Sequence, residues 1–262
     1  AIEKLFYGLE LFYDVITSLE KIGTVVDLDL EKEKIETTYI LDNEPMTIST
    51  DQLTFQFPDA DLPVIKDLNL TVNAGDRILI QGENGSGKTT LIRLLSRLLE
   101  PSAGTIFINN TNYKKFSVEE YRSKLGIITL NDSTFEGTIY ENITCSCPTV
   151  LMSDLNAVLD KLDLTNLIKS LPLGLETPLL SEGKQINSSA IQKILLARVL
   201  IAKPKILFFE EPVDKLDKIT AGKVIDMLTD SNNPWTLVVI SKSNYWKEKC
   251  NKIITLDKGQ IK

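Results

Sequence analysis

Gly82-Glu83-Asn84-Gly85-Ser86-Gly87-Lys88-Thr89 follows the apolar run Ile78-Leu79-Ile80 and leads into Leu91-Ile92-Arg93-Leu94-Leu95. Strand, glycine-rich turn and helix in this order decide the fold. A turn of this kind points its backbone N–H groups inward at phosphate oxygens, and the dipole of the following helix favours the anion. Lys88 adds a point charge, Thr89 offers a hydroxyl to Mg²⁺, and Thr90 completes the set of phosphate-loop residues. The glycines matter because only they let the backbone approach so closely. The pattern predicts a P-loop that binds ATP or GTP.

Working outward, β-like runs are expected at residues 53–57, 69–72, 77–80 and 105–108, with a helix over 88–99 punctuated by Pro101 and Gly104. A middle stretch from about 131 to 185 is rich in helix and loop. Helix 188–202, strand 205–210, helix 216–229 and strands 236–240 and 252–257 then restore the alternation of a layered α/β domain. The expected fold class is α/β. It has a P-loop NTPase core of mostly parallel sheet flanked by helices, an antiparallel β portion around 47–72 and a helical subdomain at about 131–185.

Upstream of this body, Ile2, Leu5, Leu9, Phe12, Ile16 and Leu19 alternate spacings of three and four, the seam of a packed helix. Residues 27–46 are charged, lack periodicity and read as a linker. The expected organisation is therefore a helix over 1–26, a linker over 27–46 and the main domain over 47–262. The chain opens on Ala1 rather than Met, which is taken to mean that something preceded the helix.

Composition narrows the class. The 262 residues carry a net charge of -7, which argues against a nucleic-acid partner because such surfaces need clustered Lys and Arg. Three cysteines at 145, 147 and 250 are too few for a disulfide framework and read as structural thiols. No run of about 18 apolar residues is present.

Ile206-Leu207-Phe208-Phe209 ends in Glu210-Glu211, delivering two carboxylates at the carboxyl edge of a buried parallel strand. Strands capped by solvated acids are common, but beside a phosphate loop this becomes a Walker B arrangement. Glu210 is the expected Mg²⁺ ligand through water, together with Thr89, and Glu211 the catalytic residue that polarises the attacking water.

With these motifs in place the chain resembles the nucleotide-binding domain of ABC transporters, particularly exporters whose membrane helices and ATPase share one polypeptide. The likeness covers nearly the whole chain. Phe57 falls where the family stacks an aromatic ring on adenine, and Gly82 to Thr89 match its Walker A. Phe135 to Ile143 resemble the stretch after the Q-loop, and Pro172 to Gly183 resemble the exporter X-loop, with Glu182 at its acidic position. Leu196-Ala197-Arg198 and Asp214-Lys215-Leu216-Asp217 resemble the end of the signature helix and the D-loop. Ala1 to Leu30 are similar to the end of the last membrane helix and its linker.

The departures from the family pattern fall on groups that assist hydrolysis. Counting back from Phe135-Glu136-Gly137 places Leu130 where the Q-loop glutamine belongs, with Asn131 adjacent. The chain has no histidine, and Lys242 takes the switch position that senses the γ-phosphate. Lysine there supplies charge on a flexible ammonium without an acceptor nitrogen. Glu210 replaces the usual aspartate. Leu180 to Lys184 imitates the L-S-G-G-Q signature, but spacing from Walker B puts the signature at Ile186-Asn187-Ser188-Ser189-Ala190. There Asn187, Ser188 and Ser189 would approach the ATP of a partner subunit, with serine side chains in place of glycine.

The resemblance implies ATP and Mg²⁺ as ligands, a second nucleotide-binding domain and the transmembrane domain of the same parent chain as partners, and a place at the cytoplasmic face of the cell membrane. A heterodimer is slightly preferred over a homodimer, because a partner with better motifs would repair half of each composite site. Hydrolysis at least about 10²-fold slower than in an intact relative is expected. The alternative is a non-transport ABC module, regulatory or scaffolding, with ATP as a structural ligand. A P-loop kinase is a weaker third, since nothing marks an acceptor site.

Overall fold

The structure, a computed structural model, describes residues 2–27, 46–145, 149–180 and 186–262. Most of the expected linker at 27–46 lies outside these residues, as do Glu182 and most of the L-S-G-G-Q look-alike. The chain divides into two units, the first carrying the N-terminal helix and the second everything from Met46 onward. In the first, α1 (Ile2–Val26) is one continuous helix, as the three-and-four apolar spacing predicts. No helix among the described residues is long and apolar enough to cross a membrane.

The second unit is built on a six-stranded sheet with the order β12-β11-β3-β10-β9-β6. Its members are β3 (Arg77–Gln81), β6 (Leu125–Ile128), β9 (Ile206–Glu210), β10 (Thr236–Ile240), β11 (Lys252–Asp257) and β12 (Gln260–Ile261). All neighbours run parallel except the β11–β12 pair. Buried on both faces, the central strands read as continuous apolar runs rather than alternating ones. Alternation still sorts them. Ile78, Ile80, Ile206, Phe208, Val238 and Ile240 enter one core cluster, while Leu79, Leu207, Phe209, Leu237 and Val239 enter the other.

The first cluster lies between this sheet and an antiparallel one of order β2-β1-β4-β5. Its strands are β1 (Ile48–Phe55), β2 (Ile65–Val72), β4 (Ala103–Ile108) and β5 (Thr111–Asn112), and α2 (Lys88–Leu95) and α3 (Val118–Ser123) fill the same side. The second cluster takes most of its remaining side chains from α4 (Ile139–Thr144), α5 (Met152–Lys161), α6 (Thr165–Ser170), α7 (Ser188–Ile201), α8 (Lys218–Thr229) and α9 (Tyr245–Lys249). Burying each Leu, Ile, Val or Phe contributes about 1.5–3 kcal/mol. Phe208, fully buried, should cost about 3–5 kcal/mol on truncation to Ala.

The expected helical subdomain holds α4, α5 and α6, tied together by the short antiparallel pair β7 (Gly137–Thr138) and β8 (Pro178–Leu179). A capping box starts α4, with Thr138 and Glu141 each satisfying the other's backbone N–H. Two helix ends differ from expectation by more than one residue. Residue 99 was the expected end of α2, but Ser96 turns its hydroxyl onto the Ile92 carbonyl at 2.8 Å and Arg97 adopts a left-handed φ of 57°, stopping the helix at Leu95. At the other, Asp217 accepts from the Ile219 and Thr220 N–H groups as N-cap, so α8 begins at Lys218 rather than 216.

Candidate functional site

β3, β10 and β9 are adjacent and parallel, so the loops leaving their carboxyl ends converge on one edge. Those loops carry Gly82–Gly87, Ser241–Asn244 and Glu211–Asp217. Motifs about 120–160 residues apart in sequence become neighbours because of strand order alone.

In the phosphate loop, Gly82 and Gly87 hold φ of 148° and 101°. A Cβ on Gly87 would lie 2.8 Å from Ile65 Cδ1 and 2.9 Å from the Val64 carbonyl oxygen, and one on Gly82 would strike the Leu256 carbonyl. Both positions require glycine on conformational and steric grounds. The loop borders a cleft of about 210 Å³ lined by Val64, Asn84, Gly85, Gly87, Lys88, Thr89 and Thr90.

Lys88 reaches back over the loop, its Nζ donating to the Gly82 and Glu83 carbonyls at 2.8 and 2.6 Å and to Ser86 Oγ at 3.3 Å. Burial lowers its pKa first and repulsion from Lys242 second, while Glu210 and Glu211 pull it back up. Lys88 therefore feels Lys242, Glu210 and Glu211, which share one electrostatic neighbourhood with it. A lysine on the cleft wall with a second cation close enough to repel it suits a polyanion. The donor set, glycine clearance and cation pair fit a nucleotide triphosphate.

Thr89 donates its hydroxyl to Glu210 Oε1, joining the loop to the end of β9. A hydroxyl and a carboxylate so joined fit a hard cation such as Mg²⁺, which binds through oxygen and retains several waters. Glu210 is buried and Glu211 partly exposed. Glu211 sits at a left-handed φ of 46°, a conformation that costs a non-glycine residue about 1–3 kcal/mol and persists only where the surroundings over-determine it. Here they do. Its N–H donates to the Ile240 carbonyl at 2.8 Å, and its carboxylate accepts from Ser241 Oγ at 2.7 Å and from the Lys242 N–H at 3.0 Å.

Leu130 leaves the end of β6 and is 55% exposed. The turn carrying it is closed by Asp132, which accepts from the Thr129 N–H and hydroxyl at 2.9 Å each. A narrow crevice brings Leu130 and Asp132 against Gln192, Glu210 and Glu211. An apolar side chain thus occupies the wall beside both acids. Asn131 is exposed and does not line this crevice.

Phe57 follows β1 and is 38% exposed, its ring edge-on to Phe55 at 4.8 Å. Phe55 in turn accepts from the N–H of Val64, a residue of the phosphate cleft, so a free aromatic surface stands close along the chain to that cleft. Asn187 caps α7, its Oδ1 accepting from the Ala190 N–H at 2.7 Å. Neither it nor Ser188 or Ser189 lines the phosphate cleft or the crevice. Phe57 and Lys242 likewise line neither cavity.

Two site residues escape sequence reasoning. Gln192 is buried in α7, donates to the Glu211 carbonyl at 3.2 Å and to Asp214 at 2.8 Å, and accepts from the Lys215 N–H at 2.8 Å. Its one signal is a polar residue within an apolar helix. Ser241 gave none. As for the cysteines, burial pushes the Cys250 thiol up to about 11, consistent with packing rather than reactivity. Cys145 is exposed, and Cys147 lies outside the described residues.

The family model described as ABC transporter matches residues 65–214, more than half of the chain. The chain is 28% identical over 258 residues to the mitochondrial iron-sulfur clusters transporter ATM1 of Saccharomyces cerevisiae, covering 96% of this chain and 37% of that protein. It is 31% identical over 221 residues to the protein of the same description in Debaryomyces hansenii, covering 83% and 31%. A putative multidrug export ATP-binding/permease protein of Staphylococcus aureus is 26% identical over 214 residues, covering 82% and 37%. The chain thus spans about a third of the length of these relatives. Among solved structures, a bacterial Atm1-family ABC exporter with ATP bound has a TM-score of 0.84 at 24% identity over 94% of this chain and 43% of that one, a likeness of fold.

Proposed function

Because the chain belongs to the ABC transporter family, we propose that it is the ATP-binding domain of an exporter-type transporter in which uptake of Mg-ATP, more than its breakdown, moves membrane helices. One observation carries the proposal. The groups that grip a triphosphate are present and joined to one another, while in the crevice beside the two acids the position expected to carry a glutamine holds Leu130.

On this reading the loop N–H groups and Lys88 hold the phosphates, and Thr89 with Glu210 holds Mg²⁺, which supplies charge neutralisation when bound. Phe57 stacks on the adenine. Lys242 adds a cation at the γ-phosphate position, and Glu211 orients the attacking water. Leucine at residue 130 can neither donate to nor accept from that water. Positioning and acid–base groups are each worth about 10²–10⁴-fold in rate, although losses within one unit do not multiply. Turnover at least about 10²-fold below that of an intact relative follows.

The relatives are named as transporters, which supports this reading over a regulatory or scaffolding module. Asn187, Ser188 and Ser189 then serve a second nucleotide-binding domain. Because serines stand in place of the signature glycines and Leu130 and Lys242 in place of the glutamine and histidine, a homodimer would carry defects in both halves of each composite site. A heterodimer is the preferred assembly, working with the transmembrane domain of the parent chain at the cytoplasmic face of a membrane. Bound ATP would act there as a clamp, its binding energy biasing the closed dimer.

Steady-state phosphate release by the purified protein, with and without Glu211→Gln, tests the proposal. Slow release abolished by the substitution is expected; brisk Glu211-dependent turnover would overturn it. For the assembly, light scattering during titration with an intact partner domain and ATP should report a dimer, and its absence counts against the clamp.

A further inference from the structure

We propose that Ser241 is a positioning residue for Glu211, fixing the carboxylate over the end of β10 between the phosphate-loop strand and the Walker B strand. The proposal deepens the reading of Glu211 as the residue that orients water and rests on it. Ser241 is buried, and its oxygen has a defined place in a three-membered chain of hydrogen bonds. It accepts from the Ser243 N–H at 3.2 Å, and its own hydroxyl proton goes to Glu211 Oε2 at 2.7 Å. The Lys242 N–H takes the other carboxylate oxygen at 3.0 Å.

Both oxygens are therefore held from one segment, the turn that leaves β10. A carboxylate has about four lone-pair sites, so two donors leave a lone pair on each oxygen for water. What they remove is rotational freedom. Glu211 otherwise projects from a strained left-handed backbone at the tip of a strand, and its side chain has several rotamers available. Because β10 lies between β3 and β9, a carboxylate tied to its end leans toward the phosphate loop, in keeping with its pull on Lys88. With Leu130 in the crevice and Lys242 at the switch position, orientation of Glu211 falls to the Ser241 hydroxyl and one main-chain amide.

The test uses Ser241→Ala, which deletes the hydroxyl, and Ser241→Thr, which keeps it. Ala should lower kcat about tenfold with KM for ATP unchanged, the size of one lost hydrogen bond to a charged group, and Thr should restore it. A second readout needs no turnover. In nucleotide-free protein, exchange of the Lys242 amide should quicken about tenfold in the Ala variant, as its acceptor is released, and return in the Thr variant. Should Ala not fold, Ser241→Cys, close in size and a weak donor, is expected to show the same losses. Wild-type kcat together with wild-type Lys242 exchange in the Ala or Cys variant would overturn the proposal. Absence of any Glu211-dependent turnover in the unaltered protein would instead sink the hydrolysis reading, leaving the amide exchange to decide whether Ser241 positions Glu211.

Discussion

The phosphate loop and the crevice at Leu130 lie at the same edge of one sheet and are built to different standards. In the first, Gly82 and Gly87 clear the backbone, Lys88 spans the loop and Thr89 meets Glu210. In the second, an exposed leucine stands beside two carboxylates, and the residues of the signature position have no part in either cavity of their own chain. The difference teaches that, on the proposed reading, binding and turnover draw on separate parts of this architecture. The first needs local backbone geometry, whereas the second needs side chains delivered from several segments.

The comparison can be broken most sharply at Glu211. Glu211→Gln should reduce whatever phosphate release exists by about 10²–10⁴-fold while leaving ATP affinity near its starting value. Unchanged release would show that the acid has no part in turnover. Lys88→Ala attacks the other region. ATP at about 100-fold above its dissociation constant should stabilise the fold by about 2.7 kcal/mol, and this variant should abolish the resulting thermal shift. A shift that survives would mean the nucleotide sits elsewhere.

Repair sharpens the contrast from the opposite side. Leu130→Gln combined with Lys242→His should raise kcat by about 10²-fold with little change in KM, if the deficit lies where the crevice suggests. No gain would place the deficit in Ser188 and Ser189 instead. The smallest effect is expected at Phe57→Ala, where loss of one aromatic contact worth about 0.5–1.5 kcal/mol should weaken ATP binding roughly two- to tenfold in a titration. Equal affinity would remove Phe57 from the site.

How much of this was legible in the sequence follows from how local each feature is. The phosphate loop is eight consecutive residues between a strand and a helix, so composition, spacing and element order speak at once. Walker B is legible because a run of buried strand residues ends in acids. The sheet's two-sided burial follows from apolar runs such as Thr236-Leu237-Val238-Val239-Ile240. Leu130 is legible only by counting from Phe135-Glu136-Gly137, since leucine itself signals nothing. The Ser241–Glu211 and Gln192–Asp214 bonds join residues 30 and 22 positions apart through strand order and helix packing, and no local pattern encodes them. Helix ends were missed for a related reason. Ser96 and Arg97 stop α2 by a back-bonded hydroxyl and a left-handed residue, which propensity does not resolve.

Isothermal titration calorimetry with Mg-ATP puts both regions to the test in one cell. The account expects a saturable heat corresponding to one nucleotide per chain, followed by a baseline that stays flat because turnover is slow. No binding heat, or a steep turnover baseline that vanishes in Glu211→Gln, would contradict it.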